Sequence, residues 1–271
     1  MSQEEGEAVP GPSAASPHLS VVLFYKYFVK DGANDYSLFR QHASHYVPLL
    51  VKHQKQLCKS LGMRGRILFS DEGVNGTLSA SSDDIIQKYI YMTTKFDVLR
   101  DLGPPPTEMH DSHSSRESMN LFTNVDWKLS TVSEQEARIF SSPFPDLKIS
   151  SVKEIVSTGG IVTLDDIPRW GGKHLTPDQF HEALLGEGES EKEVVLIDVR
   201  NTFEHAIGHF VNPNASSPAG ATNCIGDSSQ PAPAINPQMT NFTQFDTHYS
   251  SSNADYLRDK KVLMVREAMA V

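Results

Sequence analysis

Four consecutive β-branched or aliphatic side chains, Val194, Val195, Leu196 and Ile197, constrain this chain more than any other feature. The run is too short for a buried helix and predicts a central strand covered on both faces. Asp198 and Arg200 follow at once, so charge begins where the strand leaves the core. In open α/β sheets, binding and catalytic groups gather at the carboxyl ends of parallel strands. Residues 202–206 predict one short helical turn, ended by Gly208.

With 271 residues the chain is long enough for one large or two modest domains, each with its own core. A formal net charge of −10 argues against a protein-wide basic surface for nucleic acid, though not against a local patch. Two cysteines, Cys58 and Cys224, exclude a disulfide framework and fit a reducing compartment. No apolar run approaches the roughly 20 residues needed to cross a bilayer. Residues 4–17 are acidic and rich in Pro and Ser, without the basic start and apolar centre of a signal peptide or the Arg-rich face of a transit peptide. A cytoplasmic protein without a membrane segment is expected.

Taken in order, residues 1–18 read as a disordered tail and residues 20–28 as a first strand. Asp35 is placed to cap one long helix over residues 36–61, closed by Gly62. Residues 66–70 and 74–80 predict two strands around a tight turn. The glycines there, Gly73 and Gly76, lack a following Gly-Lys-Ser/Thr, so they do not form a P-loop. Ser82 or Asp83 caps a second helix reaching about residue 99. A polar Pro/Ser/His loop to residue 118 follows, then a strand near residues 120–130 and an extended segment over 147–156. Strand, helix, strand, strand, helix, strand is the order of a ferredoxin-like split βαβ unit. Residues 19–157 are therefore expected to form a small α+β domain, residues 158–173 a linker, and residues 174–271 a second domain. In the latter, Thr176 and Pro177 open a helix. Residues 211–233 have little to bury and predict a flexible insert. Order resumes at Ala234-Ile235-Asn236-Pro237, and residues 260–265 predict another parallel strand.

Within this stretch, Asp198-Val199-Arg200, Glu204 and Gly208-His209 resemble the successive elements of the rhodanese superfamily. Both domains together resemble the rhodanese-type tRNA uridine hydroxylases. In the first domain the resemblance rests on Phe24-Tyr25-Lys26-Tyr27, Gly65-Arg66-Ile67-Leu68, Glu72-Gly73-Val74-Asn75-Gly76-Thr77 and Lys153-Glu154-Ile155-Val156. In the second it rests on His174-Leu175-Thr176-Pro177, residues 196–200, Glu204, Ile207-Gly208-His209-Phe210 and Ala234-Ile235-Asn236-Pro237. It implies an acylphosphatase-like (ferredoxin-like) domain followed by a rhodanese-like parallel sheet. It also implies oxygen-dependent 5-hydroxylation of the wobble uridine, with tRNA as partner, and it assigns no cofactor or metal. Asp198, Arg200, Glu204 and His209 would form the active-site framework, and Lys26, Arg64, Arg66, Lys148 and Lys153 a basic face for tRNA phosphates.

Two departures stand out. The insert at 211–233 separates Gly-His-Phe from Ala-Ile-Asn-Pro. The catalytic cysteine loop that in the family follows the strand ending at Val265 is not matched by residues 266–271, so no catalytic residue is assigned and an incomplete, inactive second domain is expected. Such a loop works by aiming backbone N–H groups and a helix N-terminus at a thiolate. Asp198 and Arg200 also read as a structural ion pair, and His209 as a packed histidine bonded to backbone. Cys58 reads as an inert helix thiol and Cys224 as a thiol without an activating base. His110, Asp111 and His113 read as solvated loop residues rather than metal ligands. A non-catalytic RNA- or protein-binding module, or a thiosulfate-type sulfurtransferase relative, are the alternatives; oligomeric state stays open.

Overall fold

The computed structural model describes residues 19–106 apart from 31 and 33, then 118–132, 143–185, 192–216 and 231–265. The chain divides into two compact units. The first is built on residues up to Lys26 and on Tyr36–Val152; the second runs from Lys153 onward and includes Tyr27–Asp35.

The first unit holds a five-stranded sheet of β1 (Leu19–Tyr27), β2 (Arg64–Phe69), β3 (Gly73–Ala80), β4 (Lys128–Val132) and β5 (Leu147–Ser151), in the order β4-β1-β3-β2-β5. The first four positions have the order of a ferredoxin-like sheet, and β5 extends it by pairing parallel to β2. β1 alternates between buried and half-buried residues along its whole length, as a strand with one core face must. Its buried set includes Val22 and Phe24, and the Phe24 ring lies 4.7 Å from Trp127 and 6.2 Å from Tyr89. Tyr89 belongs to helix α3 (Asp83–Thr94), so that helix covers this face. Gly76 of β3 sits under the same ring: a Cβ there would come within 2.5 Å of Phe24 Cζ.

The single helix expected over residues 36–61 is instead two, α1 (Ser37–Gln41) and α2 (Ala43–Ser60). The N-cap is Tyr36 rather than Asp35, and its side chain makes no capping bond to the helix. The break falls at His42, whose N–H reaches both the Leu38 and Phe39 carbonyls. Nothing in the local sequence marks it. Gly62 does end α2, at φ +66°, with Met63 N–H closing on the Cys58 carbonyl at 2.9 Å. Ser82 caps α3 by accepting from Ile85 N–H. A further short helix, α4 (Val98–Leu102), takes the last residues assigned to the second helix; Asp97 caps it, accepting from Arg100 N–H at 2.9 Å.

The second unit opens at residues 153–160. Glu154 folds its carboxylate back onto the N–H groups of Thr158, Gly159 and Gly160 and the Thr158 hydroxyl, at 2.7–3.0 Å. Gly159 and Gly160 take φ of +74° and +77°, which turns their N–H groups toward one anion. The stretch expected as linker also contains α5 (Asp166–Trp170).

β6 (Val194–Asp198) is the centre of this unit. β9 (Lys261–Val265) pairs parallel to it on one side and Ile235 bridges parallel to Ile197 on the other. Leu196 packs with Ala183 and Leu184 of α6 (Pro177–Leu185), and with Ala234 and Leu263. Val195 and Ile197 turn to the opposite face, against Met239 and Tyr249. Tyr249 lies in a π-helical turn, Asp246–Ser250, that runs into α8 (Ser251–Leu257). The strand is thus apolar on both sides because both sides are covered.

Residues 211–233 are not wholly the flexible insert expected. β7 (Val211–Ser216) and β8 (Pro231–Pro233) pair antiparallel, and Asn212, buried, donates to the Val194 carbonyl at 3.1 Å. Backbone ladder bonds need no apolar side chains, so a composition poor in them hid the hairpin. Residues 217–230, with Cys224, lie outside the described residues, as do the tail 1–18, His110, Asp111 and His113.

Candidate functional site

The carboxyl end of β6 carries the cluster that the sequence pointed to. Asp198 is fully buried there, register-paired with Val265 of β9. Its N–H donates to the Ile235 carbonyl at 2.8 Å, and Val199 N–H to the Val265 carbonyl at 2.9 Å. The backbone that carries the carboxylate is therefore held between β9 and the segment at Ile235.

Four donors reach its oxygens. Oδ1 accepts from Arg200 N–H at 3.1 Å and Arg200 Nε at 2.9 Å; Oδ2 accepts from Arg200 Nη2 at 2.7 Å and faces His205 Nδ1 at 3.0 Å. Arg200 Nη2 also donates to the Gly208 carbonyl at 2.6 Å, tying the end of the following helix back to the strand. Burial pushes the Asp198 carboxyl up. The hydrogen bonds from Arg200 and His205 outweigh it and hold the group below the ordinary carboxylate range.

That helix, α7 (Thr202–Ile207), starts with a reciprocal cap. Asn201 Oδ1 accepts from Phe203 and Glu204 N–H, both at 3.0 Å, while Glu204 Oε2 accepts from Asn201 N–H at 2.9 Å. Glu204, read as a member of the active-site framework, is here a capping residue. His209 is exposed rather than packed. Its Nδ1 lies 3.1 Å from the His205 carbonyl, and its ring stacks on the His205 ring, centroids 4.4 Å apart and planes at 13°.

His205 is the member that sequence reasoning missed. It stood between Glu204 and Ala206 with no spacing signal of its own. The available clue was geometric: a residue near the end of one helical turn after a strand-end Asp can fold back onto that Asp. Among the described residues no group of three or more His, Cys, Asp or Glu is placed to hold a metal ion.

The proposed basic face is only partly assembled. Arg64 and Arg66 alternate onto one side of β2, and Lys148 of β5 is the register partner of Arg66, so these three share a face. Arg66 is ion-paired with Asp146. Lys26 departs from the expectation. It shares the core side of β1 with Val22 and Phe24, is buried, donates to the Thr123 carbonyl and sits 5.2 Å above the Tyr36 ring. The alternation that buries Phe24 buries Lys26 with it. Lys153 is exposed but lies past β5, in the second unit. Cys58 is buried in α2, and burial pushes its thiol up to about 12, which leaves it inert.

The first unit is thus an acylphosphatase-like α+β sandwich, and the second a parallel arrangement with a charged cluster at its carboxyl edge. The chain belongs to the family defined by the UPF0176 acylphosphatase like domain, whose model matches residues 19–155. It is also 28% identical over 253 residues to the tRNA uridine(34) hydroxylases of Streptococcus pyogenes serotype M6, Streptococcus agalactiae serotype III and Streptococcus pyogenes serotype M1. Each alignment covers 92% of this chain and 55% of the relative, so the chain spans little more than half the length of the relatives it matches. No helix among the described residues is long and apolar enough to cross a membrane.

Proposed function

We propose that this protein takes part in tRNA modification as a relative of the uridine(34) hydroxylases, in the cytoplasm, with its reactive site at the carboxyl edge of β6. The observation that carries the reading is the Asp198–Arg200–Gly208 linkage. It supports the reading because Asp198, Arg200 and Gly208 then meet at the end of a strand covered on both faces, where an α/β sheet forms a site. The second unit is accordingly read as rhodanese-like.

The test is hydroxylation of uridine 34 in purified tRNA by the full chain under oxygen, followed by nucleoside mass spectrometry. Hydroxylated uridine supports the reading; unmodified tRNA at every pH and thiol concentration tried overturns it for this chain.

A second reading, a non-catalytic RNA-binding module, is favoured by one observation: Arg64, Arg66 and Lys148 share one face of the first sheet. Salt-sensitive tRNA binding without turnover would select it. A sulfurtransferase has less support, since the matched first domain points toward the tRNA-modifying relatives.

A further inference from the structure

We propose that His205 is the proton-accepting group of this site, with Asp198 and Arg200 as the fixed support behind it. The inference rests on reading the carboxyl edge of β6 as the reactive site.

Asp198 itself is not available for chemistry. It is fully buried and its two oxygens already meet four donors, about the number a carboxylate can accept. Three of those four come from Arg200, so the imidazole is not needed to satisfy the carboxylate. What the contact does is orient the imidazole. Facing an ionised carboxylate, His205 Nδ1 carries the hydrogen, and the lone pair is left on Nε2. His205 Nε2 has no polar partner among the described residues, and the side chain is 19% exposed. The imidazole is therefore anchored at one nitrogen and open at the other, which is the arrangement of a carboxylate-oriented general base.

His209 completes the restraint. Its ring covers one face of His205, and its Nδ1 donates to the His205 carbonyl, so the His205 ring is held on a face as well as at an edge. Among the described residues, the titratable and charged groups around the imidazole are Asp198 and Arg200 from the strand end, and Glu204 and His209 from α7 and the turn after it. On the neighbouring strand the last described residue, Val265, is apolar, and from the bridging segment Asn236 adds a neutral amide near the Asp198 carbonyl at 3.5 Å.

The step itself is a proton transfer. The hydrogen of a substrate O–H or S–H passes to His205 Nε2, and the bonding pair stays on the oxygen or sulfur. The imidazolium so formed is balanced by Asp198, and the proton returns to solvent or to the product. The proton transfer by itself changes no oxidation state.

Two measurements on the full chain test this. The first is carbethoxylation at neutral pH, mapped by peptide mass spectrometry, with 15N NMR of the histidine side chains. His205 should be acylated at Nε2 about tenfold faster than the exposed His174 and His181, because the carboxylate fixes the hydrogen on Nδ1 and keeps the Nε2 lone pair turned outward. It should also show the Nδ1–H tautomer. Acylation no faster than at those two positions, or an Nε2–H tautomer, overturns the proposal.

The second is turnover: His205→Gln should lower kcat for tRNA hydroxylation by about 100-fold with KM for tRNA unchanged, and should remove the acid limb of the pH profile. Undiminished kcat overturns the proposal. If the wild-type chain hydroxylates no tRNA, the hydroxylase reading fails, and the acylation rates decide the role of His205 on their own.

Discussion

The ring of Phe24 lies flat enough over Gly76 that a Cβ on that glycine would meet its Cζ at 2.5 Å and its Cε1 at 2.9 Å. Phe24 cannot swing away, because Trp127 and Tyr89 hold it on other sides. Gly76→Ala should therefore destabilise the first unit by about 1–3 kcal/mol, the usual cost of overpacking a closed core. Chemical denaturation followed by near-UV circular dichroism checks this; an unchanged midpoint would show that the ring can shift.

Asp198→Ala should destabilise the second unit by about 3 kcal/mol, since it leaves Arg200 facing a buried gap without its carboxylate. The pH dependence has a definite sign. The folded-state carboxyl titrates below its unfolded value, so its contribution is complete above about pH 4 and is lost as pH falls through the folded value. Acid titration of the wild type should show this loss, and Asp198→Asn should lack it.

Asn201→Ala and Glu204→Ala should each cost about 1 kcal/mol, because each removes half of one reciprocal cap. The double variant should cost less than the sum, since the two bonds share the same turn. Additivity within about 0.3 kcal/mol would mean the cap does not act as a unit. Loss of hydroxylation through Glu204→Gln, with stability intact, would instead restore its reading as a framework acid.

Cys58 should resist alkylation in the native protein and react only after denaturation, as a buried thiol raised to about 12 must. Peptide mapping after iodoacetamide treatment at pH 8 separates it from Cys224.

Arg64→Ala and Lys148→Ala should each weaken tRNA binding and reduce the salt slope by about one, if the shared face meets phosphates. Lys26→Met should leave that slope unchanged and act on stability, because its ammonium is committed to the Thr123 carbonyl and the Tyr36 ring. Equal slopes for all variants would remove the face from consideration.

Where side-chain periodicity carries the fold, the chain was readable. The run at 194–197 fixed a two-faced strand, Gly62 and Ser82 marked helix ends, and the strand–helix order of residues 19–156 matched the sheet observed. The misses share a physical origin. The break at His42, the β7–β8 hairpin and the placement of Lys26 are decided by backbone bonding and by which side of a strand meets helices, neither of which a residue type announces. The site divided the same way. Asp198 and Arg200 were visible as charge at a strand end, while His205 became visible only once α7 was folded back over them.

A strand with apolar side chains on both flanks has no alternation to tell it which neighbour faces which, and β6 could slide along β9 by one step and still hide oil from water. Asp198 forbids that slide. One step inward would drive its charge toward the apolar layer around Leu196 and Leu263, and either step would break the bonds from Asp198 N–H to the Ile235 carbonyl and from Val199 N–H to the Val265 carbonyl. The same carboxylate that steadies an imidazole thus serves as the detent that keeps two parallel ribbons in step.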